Sequence, residues 1–221
     1  MNSFKKLQIV ICLILSLLML SSLLGGCQVS ITTGSSSSSE SQASKSSSSS
    51  TANFALKYKD YEIDFDEYLY MVATIIISLK DETKNVGLEQ FVSSGNISGQ
   101  PVVDFVKQTS IQRATDFLIA REKFKQLGKD LDSKSKKWVQ DFSSDSKTLE
   151  YAATLKVSQN GVKNHAEDYV KFTILKQKNI DLGKPEDNEL IVNEDIICKI
   201  DMVDLAKRVE ECVKNGASLL E

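Results

Sequence analysis

Residues 28–51 hold 13 serines in 24 positions, with Glu40 and Lys45 the only charges. A stretch of this composition cannot bury enough apolar area to offset the entropy lost on ordering it. It therefore partitions the 221-residue chain: a globular core has to be built from residues 52–221, 170 in all, which suffices for one core. Behaving as a flexible coil, the tract spans on the order of 25–30 Å root-mean-square, and it is expected to hold the folded body away from whatever the preceding segment is fixed to.

That preceding segment has the layout of an export signal. Lys5 and Lys6 stand before an apolar run over residues 7–24, interrupted only by Gln8, Ser16, Ser21 and Ser22, and small residues follow it. The run ends in Leu24, Gly25, Gly26 and Cys27, which resembles the lipobox of bacterial lipoproteins. The resemblance implies cleavage before Cys27 and a thioether-linked diacylglycerol on its sulfur. Two acyl chains meet the two-signal requirement for stable anchoring, each buried methylene contributing about 0.8 kcal/mol. The expected location is the extracytoplasmic face of the cell membrane, lipid-anchored. An uncleaved membrane helix is the alternative, and a stretch of 18 residues lies near its lower length limit.

Charge and composition exclude several functions. Removing Lys5 and Lys6 leaves 25 basic residues against 30 acidic, a net charge near −5 for the exported part, without the basic stripe that phosphate neutralisation requires. No nucleic-acid partner is expected. A single histidine, His165, and four cysteines, of which only Cys198 and Cys212 lie in the body, leave little material for a zinc site of four ligands. Neither a metal nor another cofactor is expected.

Within the body, Phe54, Leu56 and Tyr58 alternate with Ala55 and Lys57, Lys59-Asp60 gives a turn, and Tyr61 and Ile63 resume the alternation, predicting a short hairpin. Asp64 with Glu67 makes a capping-box-like start to a helix over 65–80 whose inward face carries Phe65, Tyr68, Leu69, Val72, Ile75, Ile76 and Leu79. Residues 81–100 read as a polar loop with Gly87, Gly95 and Gly99. Pro101 fits the first turn of a second helix that buries Val103, Val106, Ala114, Phe117, Leu118, Phe124 and Leu127 and ends at a left-handed Gly128. A third helix begins after Asp132 or Ser133 and carries Trp138, Val139 and Phe142. A fourth carries Leu149, Tyr151, Ala152 and Leu155 and stops at Asn160-Gly161. Asn164 and Glu167 then cap a fifth, with Val170, Thr173, Ile174 and Gln177 inward, to about Lys178. A hairpin followed by helices, with no strand–helix alternation, predicts a mainly α domain and argues against a doubly wound fold.

The run Tyr58-Lys59-Asp60-Tyr61-Glu62-Ile63-Asp64-Phe65-Asp66-Glu67-Tyr68 resembles the opening of the SurA and PrsA group of exported foldases, with Lys59-Asp60 in place of the usual Asn-Gly turn. The likeness continues in the long helix closing on Glu122 to Gly128, in the restart at Leu131-Asp132-Ser133, and in the segment 161–179. It implies a SurA N-terminal-like helical chaperone domain over residues 53–182, after a signal peptide over 1–26 and a lipidated linker over 27–52. Residues 183–221 would be a linker and a βα stub of a parvulin-type peptidyl-prolyl isomerase domain, with a strand over 195–201 and a helix over 205–220. The histidine of the family's opening strand falls at Lys199 or a neighbour, and no histidine follows His165. Isomerase catalysis is therefore not expected.

No catalytic residue is assigned. His165 reads as a solvated residue at a helix start, with no nucleophile set beside it by any motif. Cys198 and Cys212 either form a disulfide or pack as two separate thiols. Asp64, Asp66 and Glu67 read as helix capping, and Glu186, Asp187, Glu189, Glu194 and Asp195 as a solvated linker. Tyr70, Phe105 and Phe172 fall off the main apolar stripes and are the candidates for exposed contacts with clients. The expected function is binding of unfolded, newly exported polypeptides without ATP. The alternatives are a fragment of an isomerase and an envelope scaffold for one specific partner.

Overall fold

A computed structural model describes residues 53–83, 86–185 and 189–216. Leu24, Gly25, Gly26, Cys27 and the serine tract lie outside the described residues, as do Glu186, Asp187 and residues 217–221. Eight helices and a small antiparallel sheet make up the described part, which belongs to one compact unit over residues 49–221. None of these helices is long and apolar enough to cross a membrane.

The expected hairpin is present. Strands β1 (Phe54–Tyr58) and β2 (Tyr61–Asp64) pair antiparallel, with Leu56 opposite Ile63 and Tyr58 opposite Tyr61. Lys59 takes the left-handed turn position at φ 54°. Asp64 then accepts from the amide of Glu67 at 2.8 Å and starts α1 (Phe65–Ser78). Every residue of α1 from Glu67 to Ile77 is buried, because α1 is surrounded: helices from later in the chain pack on it from several sides and the hairpin covers its start. This is why Tyr70, expected on the surface, has no exposed area. A helix apolar on nearly all faces belongs at the centre of a bundle.

The expected loop over 81–100 contains structure: a 3-10 turn at Lys80–Thr83, α2 (Leu88–Ser94), and a two-residue hairpin of β3 (Asn96–Ile97) and β4 (Gln100–Pro101). Helix α3 (Val102–Gln126) follows, with Pro101 as its N-cap rather than inside its first turn. Gly128 closes α3 at φ 57°, and the amide of Lys129 donates to the carbonyl of Phe124 at 2.9 Å. Val106, Ala114, Phe117, Leu118 and Phe124 are buried as expected, whereas Leu127 is 44% exposed. Helices α4 (Ser133–Ser144) and α5 (Ser146–Leu155) are capped by Asp132 and Asp145.

Helix α6 (Gln159–Gln177), capped by Ser158, starts six residues earlier than the Asn164 cap predicts. Lys156 ends α5 in the left-handed region at φ 59°, and the Ser158 hydroxyl accepts from the amide of Gly161 at 3.2 Å. Asn160-Gly161 is thus helical and breaks nothing. Gly161 stands where the starts of α1 and α6 touch: a Cβ there would lie 2.8 Å from Cβ and 2.9 Å from the carbonyl carbon of Asp66. The Asp66 carboxylate in turn accepts from the amide of Ser158 at 3.1 Å. The inward face of α6 is Val162, His165, Ala166, Asp168 and Leu175, while Gln177 is exposed.

The C-terminal segment departs most from expectation. Residues 195–201 form no strand. Asn193 accepts from the amide of Ile196, and Glu194 and Asp195 fill the first turn of α7 (Glu194–Ile197), where acids favour a helix start. The strand lies earlier, as β5 (Leu190–Val192), and pairs with β1 to give the sheet order β2-β1-β5. Helix α8 (Met202–Lys214) is capped by Asp201 and packs on α1, α2 and α5. Its Glu210 accepts from the amide of Glu89 in the first turn of α2, with Gly87 leaving room for the carboxylate, and its Arg208 donates to the carbonyl of Leu155 at the end of α5. Residues 189–214 are therefore built into the helical body and do not form a separate βα stub.

The α1–α6 approach generates a direct check. Replacing Gly161 by Ala should force α1 and α6 apart and destabilise the fold by about 1–3 kcal/mol, although alanine is the better helix former. Urea unfolding of the two proteins measures it; equal midpoints would show that the approach tolerates a methyl group.

Candidate functional site

An open cleft of about 390 Å³ lies where β2, α3, the α3–α4 connection and α6 meet. Tyr61 and Phe124 supply aromatic wall. Lys125, Lys129 and Lys171 alternate with Asp130 and Glu167, and Arg121, Asn164 and Asp168 complete the lining. Lys125 stands over the Tyr61 ring at 5.7 Å, Lys171 pairs with Glu167 at 2.7 Å, and Lys136 pairs with Asp130 at the mouth. The lining is therefore mixed in charge.

Arg121, 15% exposed, is the centre of the arrangement. Its Nε donates to Asp168 at 2.8 and 2.9 Å, Nη1 to the carbonyl of Glu62 at 2.6 Å, and Nη2 to Glu67 at 2.7 and 2.8 Å. Four elements supply this geometry: β2 the carbonyl, α1 Glu67, α3 the guanidinium and α6 Asp168. Glu67, expected to reach back and cap α1, instead points inward with its side chain 1% exposed. Burial pushes its carboxyl well above the ordinary range, the nearby charge of Asp168 pushes further, and Arg121 opposes both. Burial alone would lower Arg121, but the two carboxylates more than compensate and hold it protonated.

His165 is sealed beside this hub. Its ring meets Tyr70 edge-on at 5.1 Å and tilts against Phe117 at 5.5 Å, and Nδ1 has no hydrogen-bond partner among the described residues. Burial, then the charge of Arg113, lowers its pKa to about 3. The expected solvated residue at a helix start is thus a neutral core histidine, because the earlier start of α6 turns this position inward. Among the described residues, no group of three His, Cys, Asp or Glu could hold a metal ion.

The client-contact candidates are not brought together in the cleft. Tyr70 is core. Phe105 is half-buried on α3, and Phe172 is half-buried on α6 against Phe117 at 5.9 Å. Cys198 is exposed and Cys212 buried, and they are not bridged. Cys198 lies on the side of Lys107 of α3, whereas Cys212 faces Thr154 of α5. Arg121 and Asp168 were not legible as site residues, though a signal existed. Arg121 interrupts the stripe of Phe117, Leu118 and Phe124, and Asp168 that of His165, Phe172 and Leu175, each at helical spacing.

No protein-family model, curated protein or solved structure matches the chain.

The sealed histidine makes acid stability a readout. Its folded pKa lies below the unfolded value of 6.5, so the unfolded chain takes up the proton first and His165 costs stability as pH falls from 6.5 towards 3. Against His165→Phe, the wild type should lose stability over that window by up to roughly 1.4 kcal/mol per pH unit. Urea unfolding at several pH values follows the difference; a gap that does not change with pH would mean that the ring is protonated in the fold.

Proposed function

We propose that the chain is a lipid-anchored protein of the extracytoplasmic membrane face, of the SurA and PrsA type in its helical domain, which holds segments of newly exported polypeptide weakly and without ATP. The observation that carries this reading is the cleft. Two aromatic rings, lysine stems and carboxylates of both signs form a surface that accepts an extended chain of varied sequence. Arg121 fixes the walls, so little ordering is required when a segment enters. The lipobox-like run Leu24 to Cys27 and the serine tract support the location, because an acylated Cys27 followed by a flexible spacer would keep such a cleft near the membrane face.

Weak binding follows from the surface. Among the described residues, the large apolar side chains left exposed, Val86, Leu127, Leu149 and Ile191, stand on different segments, and scattered single residues do not make a sticky patch. The same observation favours a second reading, an envelope scaffold whose cleft takes one specific partner. Isomerase activity is not carried forward, since its expected opening strand is the helical turn α7.

Two experiments test the reading. A client that aggregates on dilution from denaturant should scatter less light when residues 52–221 are in severalfold excess, and Tyr61→Ala should weaken the protection. Unchanged scattering together with capture of one stoichiometric partner would favour the scaffold. For the anchor, cells fed a labelled fatty acid should label the chain, and Cys27→Ser should abolish the label; labelling that survives the substitution refutes lipidation at Cys27.

A further inference from the structure

Nε and Nη2 of Arg121 carry three hydrogens between them and meet four carboxyl oxygens. Nη2 carries two hydrogens, yet it stands 2.7 and 2.8 Å from the two oxygens of Glu67 and 2.6 Å from Oδ2 of Asp168. The single hydrogen on Nε is shared between both oxygens of Asp168, and Nη1 is engaged by the Glu62 carbonyl. Two carboxyl groups with side chains 1% and 2% exposed thus crowd one cation.

The surrounding charges do not supply a second cation. On α6, Lys171 is engaged with Glu167 at 2.7 Å, and the ring of His165 is neutral and faces Tyr70 and Phe117. On α3, Lys125 is directed to Asp60 at 3.8 Å, and Glu122 faces Lys59 at 3.7 Å. In β2, the Glu62 side chain pairs with Lys57 at 2.6 Å. At the start of α1, Asp64 and Asp66 are taken by the amides of Glu67 and Ser158. At the mouth, Asp130 pairs with Lys136, and Lys129 lines the rim. Among the described residues, the ion pairs of Glu67 and Asp168 are with Arg121 alone.

We propose that Glu67 and Asp168 share one proton in the folded protein, so that the Arg121 hub is a proton-linked latch joining α1, α3 and α6 beneath the cleft. The proton lies between the two carboxyl groups, one donating and the other accepting, and belongs to the pair rather than to either residue. Loss of the proton to water changes the hub from neutral to a net charge of −1 in surroundings that solvate it poorly, and the latch loosens. Burial and the charge of Asp168, both of which raise the Glu67 carboxyl, act in the same sense.

The sign of the pH dependence follows. Above about pH 4.3 the unfolded chain has released this proton while the folded protein keeps it. The latch therefore contributes most at low pH and is lost as pH rises through the titration of the folded pair. His165 acts in the opposite sense, but only below 6.5, the value of a free imidazole. From there upward the latch is seen without it.

The test uses the full chain, labelled with carbon-13 at the carboxyl groups, and follows every Glu and Asp resonance between about pH 3 and pH 9 beside urea unfolding between about pH 6.5 and pH 9. One carboxyl of the wild type should titrate well above the ordinary carboxyl range. The folded-to-unfolded ratio of the protein should fall by as much as tenfold per pH unit until that titration is complete, then level. Glu67→Gln, which keeps the shape without a removable proton, should remove both the resonance shift and the slope. Carboxyl resonances that all titrate below about pH 5, or equal slopes in wild type and variant, would overturn the proposal. If Glu67→Gln does not fold, the wild-type titration decides alone.

Discussion

Everything near the cleft depends on one guanidinium. Arg121 uses all its nitrogens to hold a carbonyl of β2, a carboxyl of α1 and a carboxylate of α6, and these elements come from separate parts of the sequence. A lysine could not do this, since a compact ammonium lacks the planar fork that meets three directions at once. Such a cluster does not add much net stability, because the desolvation of three ionisable groups offsets their attraction. What it adds is register: a packing that withdraws Arg121 leaves Glu67 and Asp168 buried without their cation, so alternative packings of the same helices are disfavoured.

The close approach of α1 and α6 follows from the same constraint. The starts of α1 and α6, which bring Glu67 and Asp168 to the same guanidinium, can touch because position 161 carries no side chain. Asp66 and Ser158 then tie the two starts with a hydrogen bond of 3.1 Å. Burial of Tyr68, Tyr70, Met71 and Ile76 on α1 contributes about 1.5–3 kcal/mol for each side chain. That apolar term drives the collapse, and the polar hub selects one arrangement within it.

Local signals in the sequence were read well and long-range ones poorly. The Lys59-Asp60 hairpin, the caps at Asp64 and Asp132 and the left-handed Gly128 depend on residues within a few positions of each other, and all are found. Gly161 misled because a glycine that breaks a helix and one that admits a neighbouring helix look alike until the neighbour is known. Ile196 and Ile197 fit a strand or a buried helical turn equally as a short apolar run, and the cap at Asn193 decides for the turn. Glu67 fitted the spacing of a capping box, but a carboxylate there has a choice between its own helix start and a distant cation. The long-range partner, Arg121, won.

The surface determines what kind of recognition the body can perform. A protein that captures unfolded chains through grease must leave a broad apolar face open, and among the described residues most large apolar side chains are buried. The cleft instead offers two aromatic rings among charges of both signs, so an occupant would exchange water for contacts of similar strength and gain little from area alone. In a cleft of this kind selectivity comes from the placement of charge: like charges set against Lys129 or Glu167 cost affinity, whereas alternating ones do not.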